Sequence, residues 1–324
     1  MGCPAEGCTG RTPHEAPGAC SVICMSTQNR DEVREFLTSR RARVQPEHID
    51  MPTGANRRVP GLRRTEVAML AGVSVEYYAK LERGNLAGAS ESVLHAIAGA
   101  LRLDDAERDH LFDLARAGGT AAKRRPRRPV RNPAIRPGLQ LVLDGFTAGP
   151  ALVRNGRLDI LAANTLARAL HVDAYAMPER PVNLARHAFL DRPRAELFYP
   201  DWDAAADTIV AILRTEAGRD PYDRDLQDLI GELSTRSPEF RAKWGAHDVR
   251  RHASGIKNFH HPIVGELEFL FEATELLADP GWSLLLYTTQ PGSPSADALR
   301  LLASWAATQE AEAAQACERS PTDA

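Results

Sequence analysis

The sequence contains no run of about 18 apolar residues, the length at which a segment becomes a candidate membrane-spanning helix. It also begins without the charged and then apolar segment of a secretory signal peptide. These two absences predict a cytoplasmic protein with no membrane partner. The chain has 324 residues, of which 43% are hydrophobic, and this is enough for two globular domains.

The sequence also lacks the short motifs that carry common enzyme chemistry. It contains no GxSxG nucleophile elbow, no Walker phosphate loop, no HExxH zinc motif and no CxxC pair. His247, Asp248, His252, His260 and His261 are close in sequence, but their spacing is poor for metal ligands and favours surface and sheet-edge histidines. We therefore predict no enzyme activity, no metal and no cofactor.

Cysteine is scarce outside the first part of the chain. Four of the five cysteines lie within the first 24 residues, and their spacing lacks the paired knuckles of a structural zinc site. No apolar periodicity accompanies them. We predict that residues 1–28 form a disordered leader, with Met25 as a natural translation start, and that residues 306–324 form a disordered tail.

Charge is unevenly distributed, although the net charge of the chain is only −3. Residues 26–131 contain 20 Lys and Arg against 14 Asp and Glu, whereas residues 132–324 contain 19 against 27. A basic front half and an acidic back half indicate that nucleic acid binds at one end of the protein and a different partner at the other.

The most informative segment is 62–84, LRRTEVAMLAGVSVEYYAKLERG. Its first half predicts a short helix, Thr65–Leu70. Gly72 ends that helix because the chain leaves it with a positive φ, and Ser74 is a strong N-cap for a second helix. Helix, glycine turn and capped helix predict a helix-turn-helix. The residues predicted to face its core are Val67, Leu70, Ala71, Tyr78 and Leu81.

This segment resembles the lambda-repressor-like helix-turn-helix of the xenobiotic-response-element family of regulators. The matching residues are "EVA" in the first helix, "AGVS" at the turn and "LERG" at the exit. The resemblance implies that the second helix reads base edges in the major groove and that basic residues before the first helix contact phosphate. An ordinary pair of packed helices is the alternative. The residues predicted to contact DNA are Arg63, Arg64, Thr65, Ser74, Val75, Glu76, Tyr77 and Lys80.

The flanking sequence predicts three more helices, giving a five-helix lambda-repressor-like bundle over residues 29–117. The first of them, Asp31–Val44, has an apolar inner face and carries Arg40, Arg41 and Arg43 on its outer face. These arginines form either a solvated face or a set of phosphate contacts. With the basic charge, the bundle predicts a homodimer on near-palindromic double-stranded DNA.

Two basic segments surround these helices. The loop 45–61 is rich in Pro, Gly and Arg and is predicted to reach the DNA backbone or the minor groove. Residues 118–137, GGTAAKRRPRRPVRNPAIRP, form the predicted linker to the back domain, and their prolines keep it extended. The six Lys and Arg that precede Asn132 in this linker favour contact with DNA, a solvated linker being the alternative.

The back domain, residues 138–305, is predicted to be α+β. A helix over 138–146 precedes a hairpin with Asn155-Gly156 at its turn, the signature of type I′. A PAS-like sensor fold begins with this order of strand, turn, strand and short helix. Further helices are predicted between the second and third strands. The five predicted strands are 151–154, 157–162, 256–261, 266–273 and 283–289.

The back domain resembles the MmyB-like ligand-binding domain of bacterial transcription regulators. The resemblance is carried by "RLDILAANTLARAL", "LFYPDWDAAADTIVAILRTEAG", "ELSTRSPEFRAKWGAHDVR", "HPIVGELEF" and "YTTQPGSPSADALRLLA". Together with the front domain it covers residues 29–305. It implies a sequence-specific DNA-binding regulator whose PAS-like interior holds a fatty acid or a similar apolar ligand.

Apolar residues on the late strands and the inserted helices predict the wall of this ligand site, and a filled core is the alternative for each of them. Asn164 and Tyr287 are predicted to orient the ligand head group. A back domain that only dimerises or binds a protein partner is the alternative function, and an enzyme is disfavoured. The predicted ligand contacts are Asn164, Phe198, Trp202, Ile209, Phe269, Phe271, Leu285 and Tyr287.

Overall fold

The computed structural model describes residues 19–46, 61–119, 135–246 and 254–319. They form an all-α front domain followed by an α+β back domain, which confirms the predicted fold class. The predictions for Cys3 and Cys8, for most of the loop and the linker, and for His247, Asp248 and His252 lie outside the described residues.

The front domain is a bundle of five helices around one apolar core, as predicted. Phe36, Leu37, Tyr78, Leu81 and Ile97 lie at the centre of that core and are at most 1% exposed. The helices are α1 (Ala19–Arg43), α2 (Arg64–Leu70), α3 (Val75–Glu82), α4 (Glu91–Ala100) and α5 (Asp105–Gly119).

Helix α1 differs from its prediction at both its start and its outer face. It begins at Ala19, so residues 19–28 of the predicted disordered leader are helical, because no Gly or Pro between Ala19 and Arg43 interrupts the helix. Arg40 does not point outward: it is 2% exposed, and its Nε lies 2.7 Å from Glu107 of α5. A carboxylate across the bundle thus draws this arginine into the core.

The back domain contains nine helices and five strands within its described residues. The sheet is antiparallel in the order β2-β1-β5-β4-β3, with most of the helices between its second and third strands in sequence, as predicted. The elements are α6 (Pro137–Gly145), β1 (Ala151–Asn155), β2 (Ile160–Ala163), α7 (Thr165–Leu170), α8 (Val172–Ala176), α9 (Leu184–Leu190), α10 (Arg192–Phe198), α11 (Trp202–Arg219), α12 (Arg224–Arg236), α13 (Pro238–Gly245), β3 (Ser254–His261), β4 (Gly265–Glu275), β5 (Trp282–Thr288) and α14 (Pro294–Arg319).

The sheet has two faces because successive side chains of a strand point to opposite sides. On β5, Leu285 and Tyr287 face the inserted helices, whereas Leu284 and Leu286 pack toward α6. We call the first side the inner face of the sheet. The large core of the back domain lies on this face, and we call it the inner core. A smaller apolar cluster that includes Leu143 lies on the other side.

The predicted two-residue type I′ turn at Asn155-Gly156 is wrong. The side-chain Oδ1 of Asn155 accepts hydrogen bonds from the backbone N–H groups of Arg157 and Asp159, each at 3.0 Å. The positive φ lies at Leu158, at 68°, rather than at the predicted pair. Asn155 therefore organises a wider loop through its own side chain, and the second strand starts later than predicted.

The predicted disordered tail is also wrong over much of its length. Helix α14 continues to Arg319, so residues 306–319 are helical. This segment is rich in Ala, Glu and Gln, which favour helix even without a packed apolar face. Ala306 is 4% exposed and still belongs to the core, so the helix is anchored at the point where the tail was predicted to begin.

Gly84 allows α1 to approach the end of α3. Its φ is 95°, and a Cβ at this position would lie 2.6 Å from the backbone of Arg30. We expect Gly84→Ala to lower the free energy of unfolding by about 3 kcal/mol, through backbone strain together with a steric clash. Thermal unfolding of the purified protein measures this change.

Gly88→Ala is the matched control. Gly88 also has a positive φ, 82°, but a Cβ there would meet no atom within 4 Å. We expect a loss of about 1 kcal/mol from the backbone conformation alone. Equal losses in the two variants would contradict the role given to the close approach of α1.

Candidate functional site

The turn between α2 and α3 has the geometry that its sequence predicts. Gly72 has a φ of 64°, and the backbone N–H of Val73 donates to the carbonyl of Ala68 at 2.9 Å. The hydroxyl of Ser74 accepts from the backbone N–H of Tyr77 at 3.1 Å and caps α3. One core prediction is wrong, because Leu70 is 38% exposed and Ala68 is buried in its place.

The exposed side of α3 is the candidate DNA-reading surface. Ser74, Val75, Glu76 and Lys80 are exposed, and Glu76 and Lys80 are four residues apart and so lie on one side of the helix. Tyr77 is half-buried and packs against the core, so less of its side chain is available for contact with DNA than predicted. A protruding helix with mixed donors and acceptors has the shape and chemistry for major-groove contacts.

Glu82, the last residue of α3, holds three helices of the front domain together. It is 1% exposed, and its carboxylate accepts from Arg41 Nε of α1 at 2.7 Å and from Arg64 Nε of α2. Removing the carboxylate would leave Arg41 and Arg64 without this shared partner. Burial, and then the charge of Glu82, raise the pKa of Tyr78 well above its usual range, so its hydroxyl stays neutral.

The predicted phosphate contacts differ in their surroundings. Arg63 is exposed, and its backbone N–H donates to Glu66 Oε2 at 2.6 Å at the start of α2. Arg64 is 56% exposed although it pairs with Glu82, and Thr65 is exposed beside it. Both arginines therefore present positive charge next to α3, and Arg64 in addition stabilises the bundle.

The structure brings seven of the eight predicted ligand contacts together in one core. The strand residues all lie on the inner face of the sheet, and the helical residues pack opposite them. Each of the seven is at most 8% exposed. They are Phe198, Trp202, Ile209, Phe269, Phe271, Leu285 and Tyr287.

Phe259 of β3, which the sequence analysis did not select, lies at the centre of this core. Its ring stacks on Phe198 at 4.8 Å and lies 6.1 Å from the ring of Phe269 and 6.2 Å from that of Tyr287. The alternation of apolar residues along the predicted strand 256–261 could have identified it.

Asn164 lies apart from these residues and has a different role in the structure. Its Oδ1 accepts from the backbone N–H groups of Ala151 and Ala167, at 3.0 and 2.8 Å. Its Nδ2 donates to the carbonyls of Phe146 and Gly149, each at 2.9 Å. All four hydrogen-bonding positions of the amide are therefore occupied within the chain, which caps α7 and fixes it to β1.

A cleft of about 550 Å³ lies at the edge of the sheet, away from the predicted ligand contacts. Ile160 and Ala162 of β2 form one wall, and Arg168, Tyr175 and Arg180 line the other side. Arg180 donates to the carbonyls of Tyr175 and Glu179, at 2.9 and 2.8 Å, so its guanidinium mainly holds the local loop.

The two domains touch through a buried arginine. Arg214 of α11 is 0% exposed, and its guanidinium donates to Glu32 of α1 and to the carbonyl of Trp244. The same guanidinium lies 4.2 Å from the centre of the Trp244 ring. Glu32 belongs to the front domain, so one charge from each domain meets at this contact.

Gly218, one turn further along α11, allows the helices of the two domains to approach closely. A Cβ there would lie 2.6 Å from Cε1 of His110 of α5, whose ring also packs edge-on against Phe36 at 5.0 Å. Arg219 lies 3.8 Å from Asp113 of α5. Helix α11 therefore contacts the core of the DNA-binding bundle as well as the inner core of its own domain.

Both domains match known families. Residues 32–111 match the model of a helix-turn-helix domain, and residues 135–302 match the MmyB-like transcription regulator ligand binding domain. No curated protein matches the chain significantly. Within the described residues, no helix has the length and apolar character needed to cross a membrane, and no three His, Cys, Asp or Glu are placed to hold a metal ion.

The fold and these matches define a DNA-binding transcription regulator with a C-terminal ligand-binding domain. The second match covers more than half of the 324 residues. The protein therefore belongs to the MmyB-like transcription regulators.

The exposed side of α3 leads to a prediction about sequence choice. Glu76 can accept from the amino group of cytosine, and Lys80 can donate to guanine. We expect Glu76→Ala and Lys80→Ala each to change discrimination at one base position by about 1–3 kcal/mol, measured by selection from random oligonucleotides. Glu91→Ala on α4 is the control, and unchanged preferences in the first two variants would show that another element reads the bases.

The domain contact leads to a prediction about stability. Arg214→Met leaves Glu32 without its buried partner, so we expect the free energy of unfolding to fall by about 3 kcal/mol. We also expect a single calorimetric transition to split into two as the domains lose their coupling. Arg236→Met, at the exposed end of α12, is the control. An Arg214→Met protein that unfolds like this control would contradict the contact.

Proposed function

We propose that the protein binds near-palindromic double-stranded DNA as a homodimer, and that an apolar small molecule such as a fatty acid changes its affinity for DNA. The ligand would occupy the PAS-like interior of the back domain. The observation that carries this proposal is the double role of α11. Trp202 and Ile209 of that helix pack into the inner core, and Arg214 and Gly218 contact the front domain.

A ligand in the inner core would act on DNA binding through α11. A helix transmits displacement along its axis because its backbone is hydrogen-bonded from turn to turn. The ligand can change DNA affinity only if it binds one arrangement of the domains better than another. A tenfold change in affinity needs about 1.4 kcal/mol of such preference.

The alternative function is a back domain that dimerises or binds a protein partner without a ligand. The packing of the inner core favours this alternative, because the ring of Phe259 packs against the rings of both Phe198 and Tyr287. A ligand would have to displace part of this packing or lie beside it. The two functions are separated by direct ligand titration.

The phosphate contacts are tested through the salt dependence of DNA binding. We expect Arg63→Ala to weaken binding to every sequence and to reduce the salt slope by about one unit, because one phosphate contact is lost. Arg64→Ala should do the same and also lower the melting temperature, since Arg64 pairs with the buried Glu82. An unchanged salt slope in both variants would remove these residues from the DNA contact.

The ligand proposal is tested with fatty acids of medium and long chain. We expect calorimetry to detect binding to residues 26–324, and we expect the bound acid to change operator affinity at least tenfold. Binding at identical operator affinity would leave the acid without a regulatory role. No binding at any chain length would leave the dimerisation or partner-binding function.

A further inference from the structure

We propose that the cleft at the edge of the sheet is a second ligand site of the back domain, and that its ligand is a planar aromatic acid. We call this cleft the edge site, and the polar side chains that would recognise the acid are Arg168, Tyr175 and Arg180. The inference goes beyond the proposed function, because it needs no ligand in the inner core.

The edge site is one continuous cleft with the size of a small-molecule site. Its volume of about 550 Å³ falls within the range of about 300–1,000 Å³ that is usual for ligand pockets. Ile135, Leu161 and Ala162 of its lining pack against the smaller apolar cluster on the outer side of the sheet. None of the predicted ligand contacts lines the cleft, so the edge site is separate from the inner core.

One wall of the edge site is apolar and firmly held. Ile160 of β2 and Val182 of the following loop are 7% and 5% exposed. The backbone N–H of Ile160 donates to the carbonyl of Val182 at 2.8 Å, which joins strand and loop into a single wall. Leu161 and Ala162 beside them are half-buried. This wall can remove the apolar body of a ligand from water.

Arg180 is held in place by its own loop and keeps donors for a ligand. Its Nη1 donates to the carbonyls of Met177 and Glu179, and its Nη2 donates to the carbonyl of Tyr175 at 2.9 Å. A guanidinium has five N–H donors, so at least two, including Nε–H, have no acceptor within the described part of the chain. A guanidinium fixed in this way loses little entropy when it binds an anion.

Arg168 of α7 faces the same cleft with a second positive charge. Its Nη1 donates to the carbonyl of Ala163, and its Nη2 donates to the hydroxyl of Thr165 at 3.2 Å. Within the described residues, the one carboxylate that pairs with either arginine is that of Glu310, 3.7 Å from Arg168. Water weakens this pair, because its two side chains are 44% and 58% exposed. The edge site therefore has more positive charge than its neighbours compensate.

Tyr175 adds a hydroxyl donor beside the two arginines. The phenol is half-buried, and among the described residues its hydroxyl has no hydrogen-bond partner. Burial raises the pKa of Tyr175, and the charges of Arg168 and Arg180 oppose that rise, which supports the proximity of all three groups. One O–H and several N–H donors in one cleft match a carboxylate, which accepts hydrogen bonds through both oxygens.

A peptide that adds a strand to the sheet is the competing occupant, and the backbone of β2 disfavours it. Strand β2 lies at the edge of the sheet and has four residues. At one end the N–H of Ile160 is bonded to Val182, and at the other end the carbonyl of Ala163 accepts from Arg168. The two residues between these ends are too few for the row of backbone hydrogen bonds that strand addition requires.

The chemistry of the walls favours a rigid ring over a flexible chain. The phenol of Tyr175 and the planar guanidiniums can stack on an aromatic ring whose other face meets Ile160 and Ala162. Arg180 is exposed, so this side of the cleft is open to water. An acyl chain would lose many rotamers there for a small contact area, whereas a ring has few to lose.

The test compares 2-naphthoate with its neutral counterpart, 2-naphthamide, by calorimetry on the full chain at neutral pH. We expect the acid to bind at least about tenfold more tightly, because the acid alone makes charge-assisted hydrogen bonds to the arginines. Arg168→Met and Arg180→Met should each remove most of this difference. Arg224→Met, an exposed cation at the start of α12, is the matched control and should bind both probes as the wild type does.

A second variant separates ligand recognition from a structural role. Tyr175→Phe removes a hydroxyl that bonds to no other described residue. We expect the affinity for 2-naphthoate to fall about fivefold, the value of one hydrogen bond, while the melting temperature of the ligand-free protein stays unchanged. Tyr222→Phe, at a half-buried phenol outside the edge site, is the control and should change neither quantity.

Methyl NMR determines where the acid binds. Ile135 and Ile160 line the edge site, whereas Ile209 lies in the inner core. We expect 2-naphthoate to shift the methyl signals of Ile135 and Ile160 and to leave that of Ile209 in place. Dodecanoate, a fatty acid with the same acidic group, should leave the signal of Ile135 unshifted at the same concentration.

Four results would overturn the edge site as proposed. Equal binding of 2-naphthoate and 2-naphthamide would remove the recognition of an anion. A preference for the acid that survives all three substitutions, or a shift at Ile209 alone, would place the acid elsewhere. A shift of Ile135 by dodecanoate would make the cleft a site for flexible acids. No binding of 2-naphthoate would overturn the edge site and leave the proposed fatty-acid function untouched.

Discussion

The arrangement of the two domains depends on the charge of Arg214 being held between them. A fully buried guanidinium is stable only with a partner, and here the partner, Glu32, comes from the other domain. This requirement makes the domain contact specific, since a shift of either domain would expose an unpaired charge. Gly218 adds a steric requirement, because the ring of His110 occupies the space that a Cβ at this position would need. The DNA-binding bundle is therefore positioned by one helix of the ligand-binding domain.

The front domain also contains a buried charge that is held by partners from neighbouring helices. Glu82 lies at the end of α3, the candidate DNA-reading helix, and holds α1 and α2 through Arg41 and Arg64. Helix α3 is thus fixed by charge from inside the bundle while its outer side stays exposed.

Sequence reasoning predicted local structure well where one residue decides the outcome. Gly72 and Ser74 fixed the turn between α2 and α3, and alternation along β4 and β5 placed Phe269, Phe271, Leu285 and Tyr287 on one face. Sequence reasoning failed where residues distant in sequence decide the structure. Arg40 was expected to face outward, toward solvent or phosphate, because Glu107 is remote in sequence. The role of Arg214 likewise depends on a carboxylate that only tertiary structure brings near. The type I′ turn predicted at Asn155-Gly156 was wrong because the side chain of Asn155, rather than the backbone of Gly156, organises the turn.

We propose that the state of the back domain reaches the DNA-binding bundle through α11. The most direct test is a thermodynamic cycle of operator affinity, with and without dodecanoate, in the wild type and in Arg214→Met. We expect dodecanoate to bind both proteins but to change operator affinity only in the wild type, because the variant has lost the contact that couples the domains. An equal effect of dodecanoate on operator affinity in both proteins would contradict it.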